Sequence, residues 1–90
     1  MVIFRVKKDT EVNKLASAIF QSLQNVDMLQ LRCLGVSSLN QGIKAFITAK
    51  GMSEPVGMIL SLDPFFGSAI IEGKERTVIC MNVSKKLKGE

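Results

Sequence analysis

The chain contains 90 residues, 47% of them apolar, with 12 basic and 8 acidic side chains and a net charge of +4. This length suits a single domain, because domains usually contain roughly 50–250 residues, and the apolar content excludes a disordered chain. The charge favours polyanionic partners only mildly. No histidine is present, so the usual general base and the usual metal ligand are missing, and we expect a non-enzymatic protein without cofactor or metal.

The first predicted element is a strand over residues 2–6, in which valine or phenylalanine occupies every second position. Lys7 and Lys8 follow it directly. A secretory signal peptide places its positive charge before the apolar stretch, whereas here the order is reversed. No segment approaches the ~18 consecutive apolar residues of a membrane span. We therefore expect a cytoplasmic protein that does not enter a membrane.

A helix and a second strand follow in the chain. Asp9 and Thr10 are favoured N-cap residues, and apolar side chains then recur at helical spacing as far as Asn25, which predicts a helix. Residues 28–34 alternate again, with apolar side chains on one face, and predict the second strand.

The second helix has a polar N-terminus. Ser38 and Gln41 have the spacing of a capping box, and Gly51 followed by Pro55 predicts the end of the helix. A helix N-terminus offers free N–H groups and a partial positive charge, both of which suit a phosphate. A well-capped helix without a ligand is the alternative. The candidate residues of a helix-mouth site for an anion or another polar group are Ser37, Ser38, Asn40 and Gln41.

The C-terminal half reads as a hairpin. Residues 57–62 predict the third strand, and Pro64 then indicates either an edge strand or a bend. Extended structure resumes at residues 68–71, before a turn centred on Gly73. Residues 77–83 return as the fourth strand.

The resulting order, βαβαββ, predicts an α/β two-layer sandwich with two helices on one face of a mixed four-stranded sheet. The first strand–helix–strand unit should be parallel and right-handed, and the last two strands an antiparallel hairpin. We place this single domain at residues 1–84 and a basic C-terminal tail at residues 85–90, and we expect residues 84–90 to be frayed. The helix-free face is apolar enough to predict a homodimer. Its apolar residues are Ile3, Ile59, Val78 and Cys80.

Two residue types have both a structural and a chemical interpretation. Cys33 and Cys80 lie within apolar strands, which indicates buried free thiols rather than a disulfide framework or a zinc site. Phe65 and Phe66 are suited to stacking on bases, but phenylalanines in so small a chain more often belong to the core, and we expect that here.

Two segments carry a resemblance to a known family: "SLNQGIKAFITAKG" at residues 38–51 and "EGKERTVI" at residues 72–79. The first is similar to a family core of the type A-[LV]-N-Q-A-[VI]-K-A followed by A-[RK]-G, and the second to an acidic-Gly-x-Glu-Arg-Thr hairpin. The chain resembles the stage V sporulation protein S family over residues 2–86, with no gap needed. That family is tied to septation and spore-coat assembly, and its fold resembles that of Alba, a small basic archaeal chromatin protein.

The resemblance implies an Alba-like fold, a homodimer and a regulatory role related to sporulation or septation. Alba-like proteins hold nucleic acid with lysines before the first helix and with a basic β-hairpin arm. The corresponding candidates for contacts to the phosphates of DNA or RNA are Lys7, Lys8, Lys74 and Arg76. Lys44 is a further candidate, because it shares an exposed face of the second helix with Asn40 and Gln41 near the helix mouth. Two alternatives stay open: a protein-interaction scaffold or regulatory module in spore-coat or septum assembly, and a binder of a small anion at the helix mouth.

Overall fold

The computed structural model describes residues 1–89, and its strands and helices follow the predicted order. The elements are β1 (Val2–Val6), α1 (Val12–Ser22), β2 (Met28–Cys33), α2 (Val36–Ser53), a short 3-10 turn (Glu54–Val56), β3 (Met58–Ile71) and β4 (Lys74–Leu87). The sheet order is β1-β2-β4-β3, in which β1 and β2 are parallel and the other neighbours are antiparallel. The predicted two-layer sandwich with a mixed four-stranded sheet is confirmed.

The core lies between the two helices and one face of the sheet, because every second strand residue points to that side. α2 approaches the sheet closely at Gly42, where an added Cβ would lie 3.0 Å from Met81 Cε and 3.1 Å from Cys33 Sγ. The fully buried large side chains of this layer include Ile19, Leu23, Leu29, Leu31, Met81 and Val83.

β3 and β4 form a long hairpin whose distal part extends beyond the rest of the sheet. β2 pairs with β4 only as far as Ile79, whereas β3 and β4 stay paired as far as Lys74. We call residues 67–78 the hairpin arm. Glu72 and Gly73 form its turn with φ values of 51° and 75°, a left-handed conformation that favours glycine. The turn predicted around Gly73 is confirmed.

β3 is a single edge strand, since it pairs only with β4. Pro64 lies within it, opposite Met81, and the pairing continues on both sides. An edge strand tolerates proline because a missing N–H that would face solvent removes no bond of the sheet. Of the two interpretations of Pro64, the edge strand is confirmed.

α1 is not capped by the predicted residues. Glu11 occupies the N-cap position, and its side chain makes no capping bond. Thr10 instead accepts a hydrogen bond through Oγ1 from the backbone N–H of Lys7, at 2.8 Å. The caps predicted at Asp9 and Thr10 are therefore wrong, because the threonine hydroxyl closes the preceding turn.

α2 begins earlier than predicted, at Val36, with Gly35 at the N-cap in a positive-φ conformation (φ 90°) that favours glycine. Ser38 therefore lies inside the first turn, where it is buried. Gln41 donates its side-chain N–H to the carbonyl of Thr10 rather than reaching back along its own helix. The predicted capping box is wrong, because the helix has already begun before the serine.

α2 also ends later than predicted. It passes through Gly51 and stops at Ser53, whose Oγ donates a hydrogen bond to Ala49 O at 2.7 Å. Pro55 lies in the 3-10 turn that follows, and Gly57 leaves that turn with φ 84°. The stop predicted at Gly51 is wrong. No helix within residues 1–89, α2 included, is long and apolar enough to cross a membrane.

β4 includes most of the segment that was expected to fray. The backbone N–H of Lys85 donates to Asp27 O at 2.9 Å, and Lys85 Nζ donates to Leu23 O at the C-terminus of α1. The expected fraying is wrong for residues 84–87, because strand pairing and this lysine hold them on the sheet. Glu90 lies outside the described residues, and the domain limits stay a prediction.

The helix-free face of the sheet is less exposed than predicted. The strand register places the four predicted residues on this face. Ile3 and Ile59 are exposed there, but Val78 and Cys80 are buried. The interpretation of the whole face as an exposed apolar surface is therefore wrong for Val78 and Cys80.

Val78 and Cys80 are covered at the base of the hairpin arm, where Gly67 and the side chain of Arg32 lie close to them. Arg32 extends from β2 across β4, where its Nη2 donates to Ser68 O at 2.7 Å. At Gly67 an added Cβ would lie 2.6 Å from Cys80 Sγ and 3.5 Å from Val78 Cγ2. This close approach of β3 to β4 requires a residue without a side chain.

The two cysteines are buried, as predicted, on opposite faces of the sheet. Cys33 points to the helices, whereas Cys80 lies under the hairpin arm. Burial raises the pKa of the Cys33 thiol from 9.0 to about 11, and the neighbouring Cys80 adds to this increase.

Candidate nucleic-acid interface

The loop between β1 and α1 is a closed turn that presents two lysines. The backbone N–H of Thr10 donates to Lys7 O at 3.1 Å, which complements the bond from Lys7 to the threonine hydroxyl. Lys7, Lys8 and Asp9 are exposed. The aspartate reduces the local net charge, so the loop alone is only weakly basic.

A hydrogen bond joins this loop to α2. Gln41 Nε2 donates to Thr10 O at 2.8 Å in a partly buried position. Asn40 lies directly before Gln41, and Lys44 lies about one helical turn after Gln41. The side chains of Asn40 and Lys44 are both exposed. The loop and the polar face of α2 therefore form one surface. We call it the loop–helix patch, and its residues are Lys7, Lys8, Asn40 and Lys44.

The residues predicted at the helix mouth do not converge on one point. Ser37 is exposed, Ser38 is buried and Gln41 is directed to the β1–α1 loop. Asn40 is exposed and belongs to the loop–helix patch. The N-terminus of α2 retains its free N–H groups. The exposed side chains next to them are those of Ser37 and of the apolar Val36, which is 85% exposed.

The hairpin arm carries the other two predicted cations. Lys74 and Arg76 are exposed on its helix-free side, as the β3–β4 register shows. Glu75 projects from the opposite side, where Ser68 Oγ donates to Glu75 Oε1 at 3.1 Å. The alternation of the strand thus keeps this carboxylate away from the two cations.

A cleft of about 500 Å³ separates the hairpin arm from the end of β1. Arg5 and Lys7 line it from the β1 side, Arg32 from β2, and residues 68–71 from the arm. The sequence interpretation missed Arg5 and Arg32. Strand alternation placed both on the helix-free face, but their place in one cleft depends on the β1–β2 register and on where the arm lies, neither of which the sequence specifies.

The predicted phosphate-binding cations have no carboxylate partners within residues 1–89. The ion pairs in that part of the chain are Lys14–Glu11 at 3.2 Å, Lys50–Glu54 at 3.2 Å and Lys85–Asp27 at 4.0 Å. A cation outside such a pair can neutralise a phosphate without first losing a carboxylate partner. The exposed cations that fall outside these pairs include all five candidates, Lys7, Lys8, Lys44, Lys74 and Arg76.

Phe65 and Phe66 are 41% and 79% exposed, so the interpretation of both as core residues is wrong. They occupy the part of β3 that leads into the hairpin arm and lie on opposite faces of that strand. Together with Pro64 and Ile79 they line a shallow pocket of about 250 Å³.

The architecture is Alba-like. The structure of Alba from Thermoplasma volcanium matches with a TM-score of 0.61 and 10% sequence identity, over 93% of this chain and 98% of that chain. At this identity the likeness concerns the fold alone. The family model for stage V sporulation protein S matches residues 2–86. The chain belongs to the stage V sporulation protein S family, which is sporulation-related, and the predicted resemblance is confirmed.

Proposed function

We propose that the protein is a cytoplasmic, non-enzymatic regulator that binds the sugar–phosphate backbone of DNA or RNA as a homodimer. The observation that carries the proposal is the set of exposed cations on the loop–helix patch and the hairpin arm, which take part in none of the ion pairs found among the described residues. Lys7 belongs to the patch and lines the cleft beside the arm, so the two basic surfaces adjoin. The regulatory role related to sporulation or septation rests on family membership.

The chemistry of these side chains favours backbone contacts over base recognition. Lysine ammonium groups neutralise phosphates, and the amide of Asn40 is suited to donating to sugar or phosphate oxygens. Such contacts position a protein on nucleic acid without carrying sequence information. Binding should therefore be largely independent of sequence and strongly dependent on salt.

A different surface supports the homodimer. Val36 and Ile47 on α2 are 85% and 59% exposed, and Phe66 and Ile70 on β3 are 79% and 71% exposed. The strand register places both β3 residues on the helix side of the sheet. A second copy of the chain would cover this apolar surface in a two-fold arrangement, with the helix-free face left outside the dimer contact.

Light scattering tests this dimer with a matched pair of variants. Ile47→Asp should give a monomer, because it places a charge in the proposed contact. Ile3→Asp, at an exposed position on the helix-free face, should leave the dimer intact. A wild-type monomer at high micromolar concentration, or the same mass for both variants, would exclude this interface.

Fluorescence anisotropy with labelled duplex DNA and duplex RNA tests the nucleic-acid proposal. Lys44→Ala should weaken binding to all sequences alike and make the salt dependence shallower by about one unit. Lys50→Ala is the control, since it removes the same charge from the same helix but from a lysine paired with Glu54 at 3.2 Å. Equal losses in both variants would contradict the assigned surface. Absence of wild-type binding would favour the protein-interaction scaffold.

A further inference from the structure

Arg5 and Arg32 are directly opposite each other in the parallel pairing of β1 and β2, on the helix-free face. Two cationic side chains therefore start from neighbouring positions on this face, and both line the same cleft. Neither arginine takes part in the ion pairs found within residues 1–89. An anion bound in this cleft would offset the positive charge that the two side chains bring to it.

The structure holds one of these guanidinium groups in place. Arg32 Nη2 donates to Ser68 O at 2.7 Å, which fixes the side chain across β4. A guanidinium group carries several N–H donors in a planar fork that matches the oxygens of a phosphate or carboxylate. The bond to Ser68 uses one of them and leaves the others for a ligand.

The two arginines line the cleft of about 500 Å³ between the hairpin arm and the end of β1. This volume lies within the range of roughly 300–1,000 Å³ that is typical of small-molecule sites. Lys7 adds a third cation, and Leu34, Ile71 and Val78 supply apolar walls. A cationic end together with apolar walls suits a molecule with a charged group and a less polar body.

We propose that this cleft, the Arg5–Arg32 cleft, binds a small phosphorylated organic molecule about the size of a mononucleotide. The phosphate lies between Arg5 and Arg32 with Lys7 nearby, and the organic part lies against the apolar walls. Phosphate is favoured over a single carboxylate because three cations match a dianion. Lys7 is shared with the loop–helix patch, but Arg5 and Arg32 belong to neither surface assigned to nucleic acid, so the two proposals can be tested separately through the arginines.

The test is isothermal titration calorimetry of the full chain with adenosine 5′-monophosphate, adenosine and inorganic phosphate. We expect saturable binding of the monophosphate, weaker binding of phosphate alone and no binding of adenosine. Arg5→Met should reduce affinity for the monophosphate at least about tenfold, because a charge-assisted bond is lost. Lys86→Met is the control: it removes one charge from an exposed position at the other end of the helix-free face and should leave affinity unchanged.

Arg32→Met also removes the bond to Ser68, so Arg32→Lys provides a second variant that keeps the charge. It should retain the fold and still weaken monophosphate binding, because an ammonium group cannot form the planar fork. Competition with an oligonucleotide separates the two sources of phosphate. The proposal is overturned if the monophosphate fails to bind at millimolar concentration, if Arg5→Met and Lys86→Met weaken it equally, or if only the oligonucleotide binds at Arg5 and Arg32.

Discussion

Replacing Gly67 with alanine tests the packing of the hairpin arm against the sheet. The new Cβ would lie 2.6 Å from Cys80 Sγ, closer than real Cβ contacts allow, and 3.8 Å from Arg32 Nη2. Cys80 is buried and paired on both sides, with Arg32 of β2 and Phe65 of β3. The sulfur therefore has little freedom to move away, and either the arm or β4 must shift.

The expected magnitude combines two opposing effects. Overpacking of a tight site costs about 1–3 kcal/mol, whereas glycine to alanine stabilises by about 0.4–1 kcal/mol through the unfolded chain. Mid-range values of about 2 and about 0.7 kcal/mol leave a net loss in the free energy of unfolding of about 1 kcal/mol. Urea denaturation at fixed protein concentration measures it, as a lower midpoint with an unchanged slope.

Two further variants make this test specific. Gly51→Ala, in the interior of α2 with nothing within 4 Å of the new Cβ, should stabilise the protein by about 0.5–1 kcal/mol. Removing the sulfur by Cys80→Ala should reduce the cost of Gly67→Ala, with a coupling of at least about 0.5 kcal/mol in a double-mutant cycle. A neutral Gly67→Ala variant, or additivity with Cys80→Ala, would refute the proposed contact.

Three other predictions follow from buried or anchored side chains. The Cys33 thiol, with a pKa of about 11, should resist labelling at pH 8 until the protein unfolds, and fast labelling of the native protein would contradict this. The contribution of this thiol to stability should be lost as pH rises from 9.0 to about 11, because only the unfolded chain gives up the proton in that range. Lys85→Met should lower the free energy of unfolding by about 1–2 kcal/mol, because it removes the hydrogen bond to Leu23 O. An unchanged free energy of unfolding in urea would show that this lysine does not stabilise the C-terminus of α1. Gln41→Ala should increase the rate of amide hydrogen exchange in the β1–α1 loop, because it removes the bond to the Thr10 carbonyl. An unchanged exchange rate would show that the hydrogen bonds within the loop are enough to keep it ordered.

Local patterns predicted the elements of this fold because their signals are short-range. The alternation at residues 2–6 corresponds to β1, and Gly73 marks a turn that needs a positive φ. The spacing of Ser38 and Gln41 wrongly predicted a capping box, because residues inside a helix can have the same spacing. Here the helix already begins at Val36, after the N-cap residue Gly35. A capping motif predicts a helix start only when the preceding residues do not offer an earlier one.

The features that depend on distant parts of the chain could not be predicted in the same way. Lys85 is anchored through Leu23 O, which the chain places 62 residues earlier. Cys80 is buried beside Gly67, a contact between two strands that local sequence patterns do not reveal. Arg5 and Arg32 meet only through the strand register. The exposure of Lys7, Lys8 and Lys74, by contrast, could be predicted from the sequence, because charged residues next to element ends need no tertiary information.

The salt dependence of wild-type binding tests the proposed nucleic-acid function most directly. Anisotropy titrations with duplex DNA and duplex RNA over a series of salt concentrations give the slope of log affinity against log salt. Each neutralised phosphate of B-DNA contributes about −0.9, so that contacts from all five candidate cations of one protomer predict a slope of about −4 to −5. No binding of DNA or RNA at tens of micromolar in low salt, or a slope shallower than about −1, would contradict binding through the phosphate backbone.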